Sequence, residues 1–244
     1  MLPFLLLAHR AEDAAADDEH ASILRVGGLP DGGLHRVRME QGPFAGLDLA
    51  AYSGVVLGGG PFNASDPPTH KSSVQRRVEA ELAGLVEQVL ARDLPFLGLC
   101  YGIGVLGRHL GGVVDRTYGE PVGRIDVVVA DAGRADPLFA GLPERFEAFG
   151  GHKEALTVVP AGVTVLATSP ACPVQAFRVG RNVYATQFHP ELDSPGLCTR
   201  IDAYRDFGYF PPQDAEALKA QARAREVPHA GHVLRRFVRR YTRD

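Results

Sequence analysis

The segment Pro95-Phe96-Leu97-Gly98-Leu99-Cys100-Tyr101-Gly102 constrains the fold most, because it predicts a short apolar strand that turns sharply into a helix. Cysteine stands at the turn, with glycine two residues before it and two residues after it, as in a G-x-nucleophile-x-G elbow. At the two glycine positions the strand and the helix approach too closely for a Cβ. We expect the helix N-terminus to lower the pKa of the Cys100 thiol and to activate it as a nucleophile.

Apolar runs alternate with helical patterns in the first half of the chain, which is typical of α/β proteins. Strands are predicted over residues 4–8, 34–39 and 54–57, and helices over residues 14–26, 73–91 and 101–110. Ser72 and Gln75 form a candidate capping box at the start of the second of these helices.

The second half of the chain is richer in short β-type runs. These runs cover residues 125–130, 146–150, 163–167, 174–179 and 182–188, and helical patterns follow at 215–224 and 231–241. We predict one domain, residues 1–244, with a C-terminal helical tail from about residue 212. Its fold class is a three-layer α/β structure, with a mostly parallel central sheet flanked by helices and an antiparallel extension.

Composition and charge exclude several function classes. The 244 residues are 45% apolar and 23% charged, with a formal net charge of −3, so no broad nucleic-acid-binding surface is expected. The basic cluster at residues 235–240 is interpreted as the solvated face of the last helix. Three cysteines do not make a disulfide framework, and no apolar run could span a membrane. We therefore expect a cytoplasmic protein without a membrane partner.

His189 is the candidate general base for Cys100. It follows a predicted strand, Pro190 stops that strand, and Glu191 can accept a hydrogen bond from the imidazole and fix its tautomer. Taken alone, a histidine before proline is more often an ordinary loop residue. The Gly58-Gly59-Gly60-Pro61 turn and the N–H of Tyr101 could supply backbone donors to an oxyanion. Cys172 and Cys198 lack metal-ligand spacing, so no metal site is predicted.

With these motifs in view, the chain resembles the class I (triad-type) glutamine amidotransferases, which have a flavodoxin-like fold. The family pattern is a G-G-P loop, a G-x-C-x-G elbow and a late F-H-P-E motif. The chain carries them in that order as Gly59-Gly60-Pro61, Gly98-Leu99-Cys100-Tyr101-Gly102 and Phe188-His189-Pro190-Glu191. The resemblance covers about residues 47–193 and is most like the GMP-synthase type standing alone.

The resemblance implies hydrolysis of the glutamine side-chain amide. Cys100 would attack the amide carbon, and His189, oriented by Glu191, would protonate the departing ammonia and then activate water against a γ-glutamyl thioester. No metal or organic cofactor is implied. The expected partners are L-glutamine or a γ-glutamyl compound, and a separate synthetase subunit that accepts the ammonia.

The resemblance also assigns the binding groups. The implied oxyanion hole consists of the backbone amides of Gly59, Gly60 and Tyr101, and the implied substrate contacts are Gly102, Gly151 and His152. Gly104 departs from the family pattern, because many members have a glutamine there that contacts the substrate. We expect it to leave open space where that side chain would lie.

Three alternatives remain open at this point. A γ-glutamyl hydrolase or isopeptidase would use the same Cys–His core, and a degenerate amidotransferase fold could serve binding without catalysis. The run Gly102-Ile103-Gly104-Val105-Leu106-Gly107 also matches a dinucleotide-binding fingerprint. The fingerprint is disfavoured, because its glycines should make the turn that Cys100 occupies.

Overall fold

A computed structural model describes all 244 residues, which form eleven strands and seven α-helices. The strands are β1 Phe4–Ala8, β2 Leu34–Arg38, β3 Val55–Leu57, β4 Phe96–Leu99, β5 Val113–Asp115, β6 Glu120–Val129, β7 Arg145–His152, β8 Ala155–Val158, β9 Val163–Thr168, β10 Ala176–Val179 and β11 Val183–Thr186. The helices are α1 Asp13–Gly27, α2 Ser73–Ala91, α3 Tyr101–His109, α4 Asp131–Arg134, α5 Ser194–Ala203, α6 Ala215–Arg223 and α7 Gly231–Tyr241.

Nine strands form one sheet in the order β2-β1-β3-β4-β11-β10-β9-β6-β7. The five strands from β2 to β11 are parallel, and the four from β10 to β7 continue the sheet in antiparallel fashion. The two remaining strands, β5 and β8, pair separately. The sequence prediction of a parallel sheet with an antiparallel extension is confirmed.

The sheet separates two apolar cores, because the side chains of β1 alternate between its faces. On one face, Phe4 packs in a cluster with Ile23 of α1 and Phe237 of α7. On the other face, Leu5 and Leu7 join a cluster that includes side chains of α2 and α3. All five residues of β1 are buried, which explains why the strand is an unbroken apolar run. The predicted three-layer architecture is thereby confirmed.

Several elements are absent from the sequence prediction, and α5 matters most because it borders the site described below. Pro195 and Gly196 in its first turn have the composition of a loop. Asp193 nevertheless caps the helix, since its carboxylate accepts a hydrogen bond of 2.8 Å from the backbone N–H of Gly196. An aspartate at the N-cap followed by proline in the first turn is a helix-start signal.

The candidate capping box at α2 forms only in half. The Ser72 hydroxyl accepts a hydrogen bond from the N–H of Gln75 at 3.0 Å, whereas the Gln75 side chain donates to the Asn63 carbonyl instead of returning to Ser72. Among the seven helices, none combines the length and the apolar character that crossing a membrane requires.

Candidate active site

The elbow holds Cys100 in a backbone conformation that side chains rarely adopt. Between β4 and α3, Cys100 has φ 50° and ψ −83°, and its N–H donates a 2.7 Å hydrogen bond to the Thr186 carbonyl of β11. A Cβ built on Gly98 would lie 2.8 Å from the Cα of Gly102. Glycine at position 98 is therefore required for the close strand-to-helix approach that presents the thiol.

His189 is fixed from two sides just beyond β11. Its backbone N–H donates to the Phe149 carbonyl of β7 at 2.9 Å, and its Nδ1–H donates to Oε1 of Glu191 at 2.8 Å. The same oxygen of the buried Glu191 accepts a 2.9 Å charged contact from Nη1 of Arg200 in α5. Since Nδ1 carries the proton, Nε2 of the neutral ring is left as a proton acceptor.

Gly59, in the loop after β3, joins these groups into one site. A Cβ built there would lie 2.6 Å from Cε1 of His189, 3.4 Å from Cβ of Cys100 and 3.2 Å from Nη2 of Arg10. These three side chains thus surround the Cβ position of residue 59, which must be glycine to avoid clashing with them. Cys100, His189 and Arg10 line one pocket of about 500 Å³, part of which is open to solvent.

The backbone donors assigned to the oxyanion hole are available. The N–H groups of Gly59, Gly60 and Tyr101 make no hydrogen bond within the protein. Gly60 is backed by the buried ring of His9, which would collide with any Cβ at position 60. The His9 ring stacks on Phe62, with centroids 4.8 Å apart, so the loop rests on a rigid aromatic support.

The electrostatics of the thiol differ from the sequence expectation. Burial raises the pKa of Cys100 to about 12, and the nearby Arg10 guanidinium only partly opposes this effect. Burial also lowers the pKa of His189 below its ordinary value, although Glu191 acts in the opposite direction. The expected lowering of the Cys100 pKa by the helix N-terminus is wrong for the resting site, because desolvation outweighs it. At neutral pH the pair is a thiol and a neutral imidazole.

Of the three predicted substrate contacts, only Gly151 lines the pocket. Gly102 lies inside the elbow, where a built Cβ would meet only Cδ2 of Leu57 at 3.9 Å, so the expectation that this second glycine position excludes a Cβ is wrong. His152 is engaged elsewhere, since its Nδ1–H donates to the Glu154 carbonyl at 2.9 Å and its Nε2 lies 2.8 Å from Oε2 of Glu120. His152 therefore holds β7 against the start of β6 and does not face the pocket.

The environment of Gly104 corrects a second expectation. A Cβ built on Gly104 would lie 2.8 Å from Cβ of Ala64 and 2.8 Å from Oε1 of Glu154. The Glu154 carboxylate accepts hydrogen bonds from the N–H groups of Ala64, at 2.7 Å, and Ser65, at 2.8 Å. The space that a side chain at position 104 would need is already filled by this loop, so the expectation of open space there is wrong.

Sequence patterns do not reveal the residues that surround the reactive groups. Arg10 donates from Nε to Oε1 of Glu19 at 2.9 Å and from Nη1 to the Tyr204 hydroxyl at 3.0 Å. Tyr209 donates from its hydroxyl to the Gly60 carbonyl at 3.4 Å and lines the pocket. These residues come from the segment after β1, from α1 and from the segment after α5, so no local motif connects them with Cys100.

One cluster has the residue types of a metal site. The potential metal-ligand atoms lie within 4.8 Å of one another and belong to Glu120, His152 and Cys172. Both ring nitrogens of His152 are already engaged, and the Cys172 thiol donates to the Val174 carbonyl at 3.5 Å. The cluster does not line the pocket of Cys100.

Comparison with known proteins assigns the family. The family model of class-I glutamine amidotransferases matches residues 35–196, about two thirds of the chain. The chain belongs to the class I glutamine amidotransferase family. The matched range includes the elbow, the Gly59-Gly60-Pro61 loop and the His189-Pro190-Glu191 motif.

Curated relatives of this chain include two GMP synthases (glutamine-hydrolyzing). The protein from Listeria welshimeri is 31% identical over 141 residues, and the one from Limosilactobacillus reuteri is 34% identical over 140 residues. Each alignment covers 57% of this chain and 24% of the relative. The chain therefore matches only about a quarter of the length of these relatives.

Solved structures share the fold over almost the whole chain. A glutamine amidotransferase from Thermotoga maritima has a TM-score of 0.79 at 24% identity, covering 98% of this chain and 97% of that one. A glutamine amidotransferase from Methylobacillus flagellatus has a TM-score of 0.72 at 18% identity, covering 100% and 97%. The shared fold thus extends beyond the range of the family model.

Proposed function

We propose that this amidotransferase hydrolyses the side-chain amide of glutamine to glutamate and ammonia through a γ-glutamyl thioester on Cys100. The observation that carries the proposal is the convergence of Cys100, His189 and Arg10 on the position of Gly59. Unpaired backbone donors at Gly59, Gly60 and Tyr101 complete the arrangement that acyl transfer needs.

The protonation states of the resting site suggest the order of events. Because the thiol and the imidazole are both neutral, Nε2 of His189 accepts the thiol proton as Sγ attacks the amide carbon. The C=O bond opens to an oxyanion that accepts hydrogen bonds from the free backbone donors. When the C–N bond breaks, His189 returns the proton to the departing nitrogen, which leaves as ammonia.

Water completes the cycle. His189 removes a proton from a water molecule that attacks the thioester carbon, and the C–S bond breaks as glutamate forms. The sulfur then recovers the proton from His189, which restores the starting state. Glu191 accepts a hydrogen bond from Nδ1 of His189 throughout, so it stabilises the imidazolium that forms twice in the cycle.

The ammonia acceptor is proposed to be a separate synthetase that works with this chain in trans. The name of the related GMP synthases describes glutamine hydrolysis, and the chain matches only 24% of their length. This suggests a division of labour in which the chain supplies ammonia and another protein uses it. Co-purification with a synthetase that raises the rate of ammonia release would support this part of the proposal.

The central test is ammonia release from glutamine by the wild-type protein and by Cys100→Ala. We expect the substitution to lower kcat by at least about a thousandfold, because it removes the nucleophile. Cys172→Ser is the matched control, since Cys172 lies outside the pocket, and it should retain activity.

Other outcomes separate the remaining functions. Full activity of Cys100→Ala would exclude the mechanism. Turnover of γ-glutamyl peptides without turnover of glutamine would identify a γ-glutamyl hydrolase. A wild-type protein whose Cys100 resists labelling by a glutamine-mimicking diazoketone, and which turns over neither substrate, would be a non-catalytic member of the family.

A further inference from the structure

Arg10 lines the pocket and has one guanidinium nitrogen, Nη2, without a hydrogen-bond partner. The residue is only 2% exposed and lies just beyond the carboxyl end of β1. Glu19 accepts from its Nε and Tyr204 accepts from its Nη1, and the guanidinium carbon lies 5.5 Å from the centroid of the Tyr204 ring. Nη2 makes no hydrogen bond within the protein, so two anchors hold the group while its third nitrogen stays free.

The free nitrogen faces the reactive groups. Nη2 is 3.2 Å from the point at Gly59 that Cys100 and His189 also approach. None of the residues that line the pocket is aspartate or glutamate, and Glu19 contacts the guanidinium on its Nε. Arg200 also lines the pocket, but its Nη1 contacts Glu191, and its Nε and Nη2, which have no hydrogen-bond partner, are fully buried and not exposed to the pocket. Arg10 is thus the cation with a donor directed at the space beside the nucleophile.

Nη2 of Arg10 lacks a protein partner but is not fully enclosed, so a ligand in the pocket can supply an acceptor to it. A carboxylate is the best match, because its hydrogen bond to a guanidinium is charge-assisted. We propose that Nη2 of Arg10 binds a carboxylate of the substrate, so that the site selects γ-glutamyl substrates carrying an anionic group. This inference rests on the proposed function for its substrate class, but not for its test.

The test uses two alkylating agents that differ only in charge. Iodoacetate and iodoacetamide both react with the Cys100 thiolate, forming an S–C bond while the C–I bond breaks and iodide leaves with the bonding electrons. The ratio of their labelling rates, normalised to the ratio for free glutathione, cancels changes in the reactivity of the thiol. Mass spectrometry of the Cys100 peptide measures both rates at one pH.

We expect Arg10→Gln to lower the iodoacetate-to-iodoacetamide ratio by about tenfold or more, and Arg10→Lys to retain part of the preference. Arg223→Gln, at an exposed arginine of α6 that forms no ion pair, is the control and should leave the ratio unchanged. An unchanged ratio in Arg10→Gln, or an equal fall of both rates, would overturn the proposal.

A second measurement needs no variant, in case Arg10→Gln does not fold. Acetate should protect wild-type Cys100 from iodoacetamide at a lower concentration than acetamide does, and equal protection by the two would also overturn the proposal. Neither experiment requires glutamine hydrolysis. A failure of the proposed function would appear in the ammonia assay, whereas a failure of the Arg10 inference would appear only in the labelling ratio.

Discussion

At the scale of residues, the acid of the proposed triad belongs to a longer series of buried charges. Glu191 contacts Arg200 at 2.9 Å, Arg200 lies 4.0 Å from Glu19, and Glu19 contacts Arg10 at 2.9 Å. The series ends at His189 on one side and at the pocket cation on the other. Each carboxylate is therefore held in place by a guanidinium from a different element.

Arg200 should set the pH dependence of the reaction through His189. Arg200 and burial both lower the pKa of His189, while Glu191 raises it. Arg200→Met removes one lowering influence, so the pKa of His189 should rise. Because the proposed reaction needs the neutral imidazole, the acidic limb of the kcat/KM profile should move to higher pH. The value of kcat should also fall, because Glu191 loses the contact that fixes its position.

The measurement is the pH profile of glutamine hydrolysis between about pH 5 and pH 9. Arg205→Met, at the exposed end of the same segment, serves as the control and should leave the profile in place. A limb that stays where it is, or moves to lower pH, would contradict this assignment of Arg200.

Short motifs identify Cys100, His189 and Glu191 as candidate site residues, since each has a local sequence pattern with a chemical meaning. Arg10 and Arg200 could not be found in that way. Their role depends on the packing of α1 and α5 around the carboxyl ends of the strands, and α5 itself is not evident from composition. Substrate contacts were harder still, because Glu120, which engages the His152 ring, lies 32 residues from it in sequence.

At the scale of elements, the elbow helix α3 packs closely against the loop that follows β3. A Cβ at Gly104 of α3 would contact Ala64, which lies in that loop, and the carboxylate of Glu154. The same carboxylate fixes the backbone of the loop through its hydrogen bonds. The same loop begins with the proposed oxyanion donors at Gly59 and Gly60. A larger side chain at position 104 would therefore disturb the site through the loop.

Gly104→Gln tests this fit, because it restores the residue that many family members carry. We expect a loss of about 1–3 kcal/mol in the free energy of unfolding, from overpacking against Glu154, and a higher KM for glutamine. Chemical denaturation and steady-state kinetics measure the two effects. Gly84→Gln on α2, where a Cβ meets nothing within 4 Å, is the control and should not destabilise. Tighter glutamine binding with unchanged stability would refute the argument.

The bounds of an element could be predicted accurately where its hydrophobic periodicity was strong. The amphipathic pattern of α2 predicts residues 73–91, which are the residues observed. β5 and β8 were not predicted, because three- and four-residue strands with an exposed face have little periodicity.

At the scale of the whole molecule, the last helix closes the structure against the first strand. Phe237 of α7 is buried beside Phe4, with ring centroids 5.9 Å apart. The backbone N–H of Leu2 donates to the Arg243 carbonyl at 2.8 Å, and the N–H of Arg243 donates to the Ser53 hydroxyl at 3.1 Å. The C-terminal segment thus contributes to one of the two cores that flank the sheet.

Phe237→Ala should consequently destabilise the entire protein. We expect a loss of about 3–5 kcal/mol in the free energy of unfolding, through lost burial and the cavity left behind. Urea denaturation followed by far-ultraviolet circular dichroism and by ammonia release should give a single coincident transition. Arg239→Ala, on the exposed face of α7, provides the comparison. If Phe237→Ala cost no more than Arg239→Ala, the tail would not belong to the folding unit.

The backbone conformation at Cys100 lowers the stability of the fold while it presents the thiol to the pocket. A side chain held at φ 50° and ψ −83° costs of the order of 1–3 kcal/mol, and glycine would avoid most of that cost. A chain selected only for stability would therefore lose its cysteine at this position. The elbow keeps its proposed nucleophile at a thermodynamic disadvantage that the surrounding sheet tolerates, so a stabilising glycine at this position would also remove the thiol on which the proposed reaction depends.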